Sequence, residues 1–177
     1  MTDAAHPSNW LPDSYWVVPG RFRAGEYPGS HNPEHTRQRL RALLDLGIRV
    51  FIDLTWDGEL EPYQELLRQE ATERGVEAEH IRFPIAELGV PGRATMRAIL
   101  DSIDDSLAAN KGVYVHCWFG LGRTGTVVGC YLVRHGITGP EALERLQYLR
   151  RETIKWWRSS PETDEQCAMI TSWRVGE

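Results

Sequence analysis

The chain has 177 residues, 41% of them apolar and 25% charged, which are ordinary values for a folded globular protein and unlike those of a disordered one. Twenty Lys and Arg stand against 25 Asp and Glu, a formal net charge of −5. That balance argues against a general nucleic-acid or anionic-membrane binder and makes any anion site a local feature.

The length suits one domain, with a core that hides roughly 70% of the unfolded surface. Three cysteines (Cys117, Cys130 and Cys167) are too few and too scattered for a disulfide framework, and no zinc-ligand spacing joins them to the six histidines. No basic start followed by an apolar stretch opens the chain, and no apolar run approaches the roughly 20 residues of a membrane span. The expectation is a cytoplasmic chain in a reducing compartment with free thiols, no membrane or nucleic-acid partner, and a monomeric state.

Residues 1–14 are polar and are expected to form a loose leader, with one domain over 15–177. Tyr15-Trp16-Val17-Val18 and Arg21-Phe22-Arg23-Ala24, separated by Pro19-Gly20, predict a short hairpin. Pro33 opens a helix with Leu40, Leu43 and Leu44 on one face and Gly47 at its end. Ile48 to Leu54 reads as a strand. Pro62 opens a second helix carrying Tyr63, Leu66, Leu67 and Ala71 on one stripe and closed by Gly75.

Glu77 to Phe83 alternates as a strand does, and Pro91-Gly92 leads into a helix with Met96, Ile99, Leu100, Ile103 and Leu107 at helical spacing. Gly112 to His116 is a short strand, residues 124–135 an apolar helix, 140–151 an amphipathic one, and Pro161 begins a last helix through Ile170 and Trp173. Strands alternating with helices predict an α/β fold, a mixed and mostly parallel sheet with helices on both faces.

The chemistry concentrates in His116-Cys117-Trp118-Phe119-Gly120-Leu121-Gly122-Arg123-Thr124-Gly125, where an apolar strand runs into a cysteine, a glycine-bearing loop and a helix. Glycines let successive amides turn inward as an anion nest, and the helix start adds unsatisfied N–H groups. Arg123 offers a planar fork for two oxygens of a phosphate. In that field the thiolate form of Cys117 is favoured, a nucleophile placed to attack phosphorus. A lone Cys-x5-Arg would more often be a buried cysteine before a surface turn. The surrounding His, Gly, Thr and flanking elements turn the balance toward chemistry.

This stretch resembles the signature of the cysteine-based protein tyrosine phosphatases, and within them the small dual-specificity group; the resemblance runs from about Val17 to Trp173. It implies the cysteine phosphatase fold, with Cys117 as nucleophile and the loop from Cys117 through Trp118, Phe119, Gly120, Leu121 and Gly122 to Arg123 as the phosphate cradle. Thr124 is implied to steady the departing sulfur, with helix N-capping as its ordinary alternative. His116 is implied to tune the thiol, and Gln166 to position water.

The family's acid loop matches at Phe83-Pro84-Ile85 and Gly89-Val90-Pro91, but Ala86-Glu87 stands where Pro-Asp is usual. Glu87 is therefore the candidate general acid, with Asp57 as the alternative. Asp53, inside an apolar strand pattern, reads as structural. Cys130 and Cys167 read as buried packing. The stretch Arg150 to Arg158 mixes bases with aromatics; a solvated face is its ordinary reading, and Arg158 or Trp157 flanking the active-site mouth is another.

The resulting expectation is a phosphomonoesterase acting on phosphorylated protein, phosphotyrosine first, through a phosphocysteine and without metal or cofactor. The alternatives are an inositol phosphate, lipid phosphate or RNA 5′-phosphate as substrate, or a weakly catalytic phosphoprotein-binding module.

Overall fold

The computed structural model describes residues 11–177. Among the described residues five strands form one sheet: β1 (Ser14–Val18), β2 (Phe22–Gly25), β3 (Ile48–Asp53), β4 (Glu79–Arg82) and β5 (Gly112–His116), in the order β1-β2-β5-β3-β4. Only β1 and β2 pair antiparallel; β2 with β5, β5 with β3 and β3 with β4 are parallel. The mixed, mostly parallel α/β sheet is the one expected. β5 is central and buried along its length, so it can be apolar on both faces.

Six helices among the described residues cover the sheet: α1 (Pro33–Asp45), α2 (Gln64–Glu73), α3 (Arg93–Ala108), α4 (Gly122–Arg134), α5 (Gly139–Arg150) and α6 (Asp164–Ser172). Leu40 and Leu43 of α1 and Leu67 and Ala71 of α2 pack with Phe51 and Tyr114 on one face. Met96, Ile99 and Ile103 of α3, Val127 and Val128 of α4, Leu146 of α5 and Ile170 of α6 pack with Val50, Ile52, Val113 and Val115 on the other. Strand alternation thus feeds both cores. A register irregularity between Ile48 and Val50 lets Ile48 join the Phe51 face instead of the Val50 face.

Helix starts differ from the sequence expectations by up to three residues. α4 starts at Gly122, two residues early, which brings Arg123 and Thr124 into its first turn. α6 starts at Asp164 because Thr163 and Gln166 form a reciprocal capping box there, and Pro161 lies before it. The leader over residues 1–14 falls outside the described residues for 1–10. At 11–14 the expectation is corrected: Leu11 and Asp13 are buried, Ser14 opens β1, and Asp13 Oδ1 accepts from the Lys155 amide at 2.8 Å. Cys130 is buried as expected, whereas Cys167 is partly exposed, since the short α6 turns it toward its edge. No helix among the described residues is long and apolar enough to cross a membrane.

Parallel register brings the ends of three strands level, with His116 opposite Gly25 on one side and Asp53 on the other. The loops leaving β2, β3 and β5 therefore meet at one edge of the sheet, the position at which open α/β folds place ligands.

Candidate active site

The loop from Cys117 to Leu121 joins the end of β5 to α4, and its carbonyls are held from outside. Cys117 O faces His116 Nδ1 at 3.4 Å, Trp118 O accepts from the Tyr27 amide at 2.9 Å, and Leu121 O accepts from Ser160 Oγ at 2.7 Å. Backbone amides of residues 118–124, by contrast, donate to no acceptor among the described residues. Hydrogen bonding resumes only at the Gly125 amide, which reaches Leu121 O at 3.1 Å, and the N-cap Leu121 has no polar side chain with which to cap the helix. The result is a cradle of unspent donors above the nearly buried Cys117. Gly120 is required: its φ is +72° and a Cβ there would strike the backbone of Gly25 and Glu26.

Arg123, in the first turn of α4, is almost wholly buried. Its Nη1 and Nη2 donate to Glu59 Oε2 and Oε1 at 2.9 and 2.7 Å, and Nη1 also donates to Ile85 O at 3.0 Å. A guanidinium has five N–H donors; these bonds use three and leave Nε–H and one Nη2–H, which lie side by side along one edge. That free edge is the fork a phosphate needs. Burial opposes the charge on Arg123, but the Glu59 bonds and the nearby Cys117 and Glu87 charges favour it, and its pKa is raised. Burial likewise opposes the Glu59 charge, and the Arg123 bonds outweigh it and hold the carboxyl below its ordinary range.

Behind the cysteine, His116 is fully enclosed. Tyr63 Oη lies 2.6 Å from its Nε2, with the rings of Tyr27, Tyr63 and Tyr114 around it. Burial pushes the His116 pKa down to about 4, so the ring is neutral at pH 7. Burial pushes the Tyr63 pKa well up, so the phenol keeps its proton and donates to Nε2. Nδ1 then carries the hydrogen and faces Cys117 O, which ties the corner of the loop. Asp53 is structural, as expected: Oδ1 accepts from Thr55 N and Oγ1, and Oδ2 from Arg82 and His80. Burial would raise its pKa, and bonds from His80 and Thr55 with the facing His116 hold it well below the usual carboxylate range.

The segment after β4 is pinned on both sides of Glu87. Arg123 holds Ile85 O, and Gln166 Nε2 holds Gly89 O at 3.0 Å. Between them Leu88 takes a φ of +60°, an uncommon value for a side-chain-bearing residue, and Glu87 is exposed. Asp57 lies apart, its side chain 97% exposed and bonded to Arg82 at 2.5 Å.

Gln166 is fully buried with both amide ends engaged, Oε1 accepting from Glu162 N and Thr163 N. It braces the Glu87 segment against α6. Thr124 is buried and does not cap α4; its Oγ1 has no partner among the described residues.

Sequence reasoning brings Cys117, Arg123, Thr124 and His116 into one site, places Glu87 on the loop between β4 and α3, and gives Gln166, which the structure puts on α6, the task of positioning water. It gives Glu59, Tyr63, Tyr27 and Ser160 no role there. For Glu59 the local signal is weak, an acid two residues after Asp57 in the same loop. A cleft of about 730 Å³ opens beside the cradle, and Glu26, Glu59, Glu61, Trp118, Phe119 and Lys155 are among its lining residues, with Lys155 Nζ 3.5 Å from Glu26 Oε2. Among the described residues no group of three or more His, Cys, Asp or Glu could hold a metal ion.

A family model described as a polymorphic toxin system DSP-PTPase phosphatase matches residues 26–137. The chain belongs to that family. It is a small dual-specificity-like member of the cysteine-based protein tyrosine phosphatase superfamily, and hence a cysteine-type phosphatase. The dual specificity protein phosphatase CDC14B of Mus musculus is 34% identical over 149 residues, which are 80% of this chain and 28% of that protein. The phosphatidylglycerophosphate phosphatase PTPMT2 of Arabidopsis thaliana is 31% identical over 120 residues, 67% of this chain and 50% of that one. The phosphatase thus spans half or less of the length of these two relatives. The crystal structure of Tk-PTP in its active form matches with a TM-score of 0.68 at 26% identity, covering 90% of this chain and 94% of that one.

Proposed function

We propose that this phosphatase removes phosphate from phosphorylated protein, phosphotyrosine above all, through a phosphocysteine. Cys117 Sγ attacks phosphorus in line, forming the S–P bond as the P–O bond to the leaving group breaks. Glu87 gives its proton to the departing oxygen. The equatorial oxygens rest on the amides of 118–124 and the free edge of Arg123, which favour the loose transition state. Water then attacks phosphorus and loses a proton to Glu87, while the Thr124 hydroxyl donates to the sulfur as the S–P bond breaks.

The observation that carries this reading is the row of amides without acceptors beside an arginine with one edge unspent. Glu87 is preferred to Asp57 because it sits on the segment that Arg123 itself holds, whereas Asp57 is bonded to Arg82. Trp118, Phe119 and Leu121 give the loop itself apolar side chains and no lysine, and Lys155 of the adjacent cleft is paired with Asp13 and Glu26, which suits an aromatic leaving group.

The test is hydrolysis of an activated aryl phosphate without added metal, followed by a panel of phosphotyrosine peptide, phosphatidylglycerophosphate and inositol phosphates. The reading expects turnover of the aryl ester and the highest kcat/KM on the peptide. No turnover of the ester overturns the mechanism, and a preferred lipid or inositol phosphate overturns the substrate. Glu87→Gln is expected to slow an alkyl phosphate about 10²-fold and the activated ester far less; equal effects would move the acid role elsewhere.

A further inference from the structure

The family resemblance assigns the hydrolytic water to Gln166, but the fold spends that amide elsewhere. Gln166 Oε1 accepts from the Glu162 and Thr163 amides at 3.0 and 3.2 Å, which fills both of its lone pairs, and Nε2 donates to Gly89 O. A water attacking phosphorus needs acceptors for its own hydrogens. Gln166 has none left to give.

A second polar group stands at the same place. A Cβ on Gly122 of the cradle would meet Glu162 Oε2 at 2.6 Å and both Gln166 amide atoms at 3.0 Å. The Glu162 carboxylate therefore lies against the cradle residue that precedes Arg123. Its backbone is fixed from two directions: Gln166 holds the Glu162 amide, and two residues earlier Ser160 Oγ donates to Leu121 O of the cradle loop. Arg158 Nη2 donates to Oε1 at 3.3 Å, which leaves Oε2 without a hydrogen-bond partner among the described residues. The side chain is only 22% exposed. A pair with Arg158 near the surface would contribute little by itself, and it would not require contact with Gly122.

We propose that Glu162 Oε2 is the acceptor that positions the hydrolytic water, a proposal that rests on the phosphocysteine mechanism above. In the second step one hydrogen of the water is held by Oε2 and stays on its oxygen. The other passes to Glu87 as the new O–P bond forms and the S–P bond to Cys117 breaks. The Arg158 bond offsets the carboxylate charge beside the phosphoryl oxygens. No water reacts in the first step, so the contribution of Glu162 falls on one half of the cycle.

The experiment follows an activated aryl phosphate by stopped flow, with acid quench to count phosphocysteine, in wild type, Glu162→Ala and Glu162→Gln. Glu162→Ala is expected to lower kcat about tenfold or more and to leave kcat/KM, which ends at the phosphocysteine, within about twofold. Phosphocysteine is expected to accumulate toward about one per enzyme, with a matching burst of phenol. Glu162→Gln keeps an oxygen acceptor and is expected to recover part of kcat; it carries the test should the alanine variant not fold. A merely structural role would lower kcat, kcat/KM and the unfolding midpoint together. That result, an unchanged kcat, or a fall in kcat without accumulation of phosphocysteine overturns the proposal. Wild type that fails to turn over the ester, or turns it over without phosphocysteine, would sink the underlying mechanism instead, so the two failures are distinguishable.

Discussion

Two carboxylate–arginine clusters, one joining α1 to α2 and one at the cradle, are finished differently. Glu70 of α2 is wholly buried and accepts four bonds, one from Arg37, two from Arg41 and one from Arg74, between 2.8 and 3.0 Å. Four lone-pair sites meet four donors, so the carboxylate is saturated and helps hold α1 and α2 together. At the cradle the proportions are reversed: one arginine meets one carboxylate and a carbonyl, and keeps a donor edge in reserve. A saturated cluster has structure as its whole purpose. An arginine held rigid with two donors unspent is prepared for a further oxyanion.

The sharpest way to break this contrast is Arg123→Lys, which keeps the charge and removes the fork. Turnover of the aryl ester is expected to fall about 10³-fold with the fold intact by circular dichroism; a loss below tenfold would show that the free edge is not used. Glu70→Ala should act in the other sense. It is expected to cost about 2–3 kcal/mol in urea unfolding, moderated because the three arginines are partly exposed, with kcat per folded molecule unchanged. A selective fall in kcat would make that cluster part of the site.

Glu59→Gln is milder again. It keeps one acceptor for Arg123, so kcat/KM is expected to fall about tenfold while the unfolding midpoint moves little. A stability loss matching that of Glu70→Ala would erase the distinction.

The smallest effect is in pH. His116 has a pKa near 4 in the folded chain against an ordinary 6.5, so the unfolded state takes up its proton first. Stability is therefore full above about pH 6.5 and declines toward pH 4, by at most about 1.4 kcal/mol per unit. Glu70 is held below its ordinary 4.5 by its arginines despite burial, so its contribution is lost only as pH falls beneath that value. In urea titrations Glu70→Gln should leave the decline between pH 6.5 and 5 as in wild type; its disappearance would contradict the assignment.

Much of this was readable from local pattern. Gly112 to His116 is a buried central strand and shows as an unbroken apolar run, and the cysteine, glycines and arginine of the cradle are contiguous. The supports were not readable, because each reaches the cradle from far along the chain. Glu59 meets Arg123 across 64 positions, and Tyr63 meets His116 across 53. Periodicity assigns Tyr63 to an apolar stripe, which is right for its ring and silent about its hydroxyl. Gln166 shows the same limit: the resemblance implied that it positions water, but its use as a brace between Thr163 and Gly89 depends on side-chain geometry. Leu11 and Asp13 look like leader residues because their partners lie beyond any local window, Lys155 among them.

The central claim is that Cys117 takes phosphate covalently in a cradle of amides and one guanidinium. Acid quench of the enzyme during turnover of an activated aryl phosphate, followed by peptide mass spectrometry, tests it directly. The account predicts a phosphate adduct on Cys117 in wild type, with neither adduct nor turnover in Cys117→Ser. Turnover that persists in Cys117→Ser, or an adduct on another residue, would contradict it.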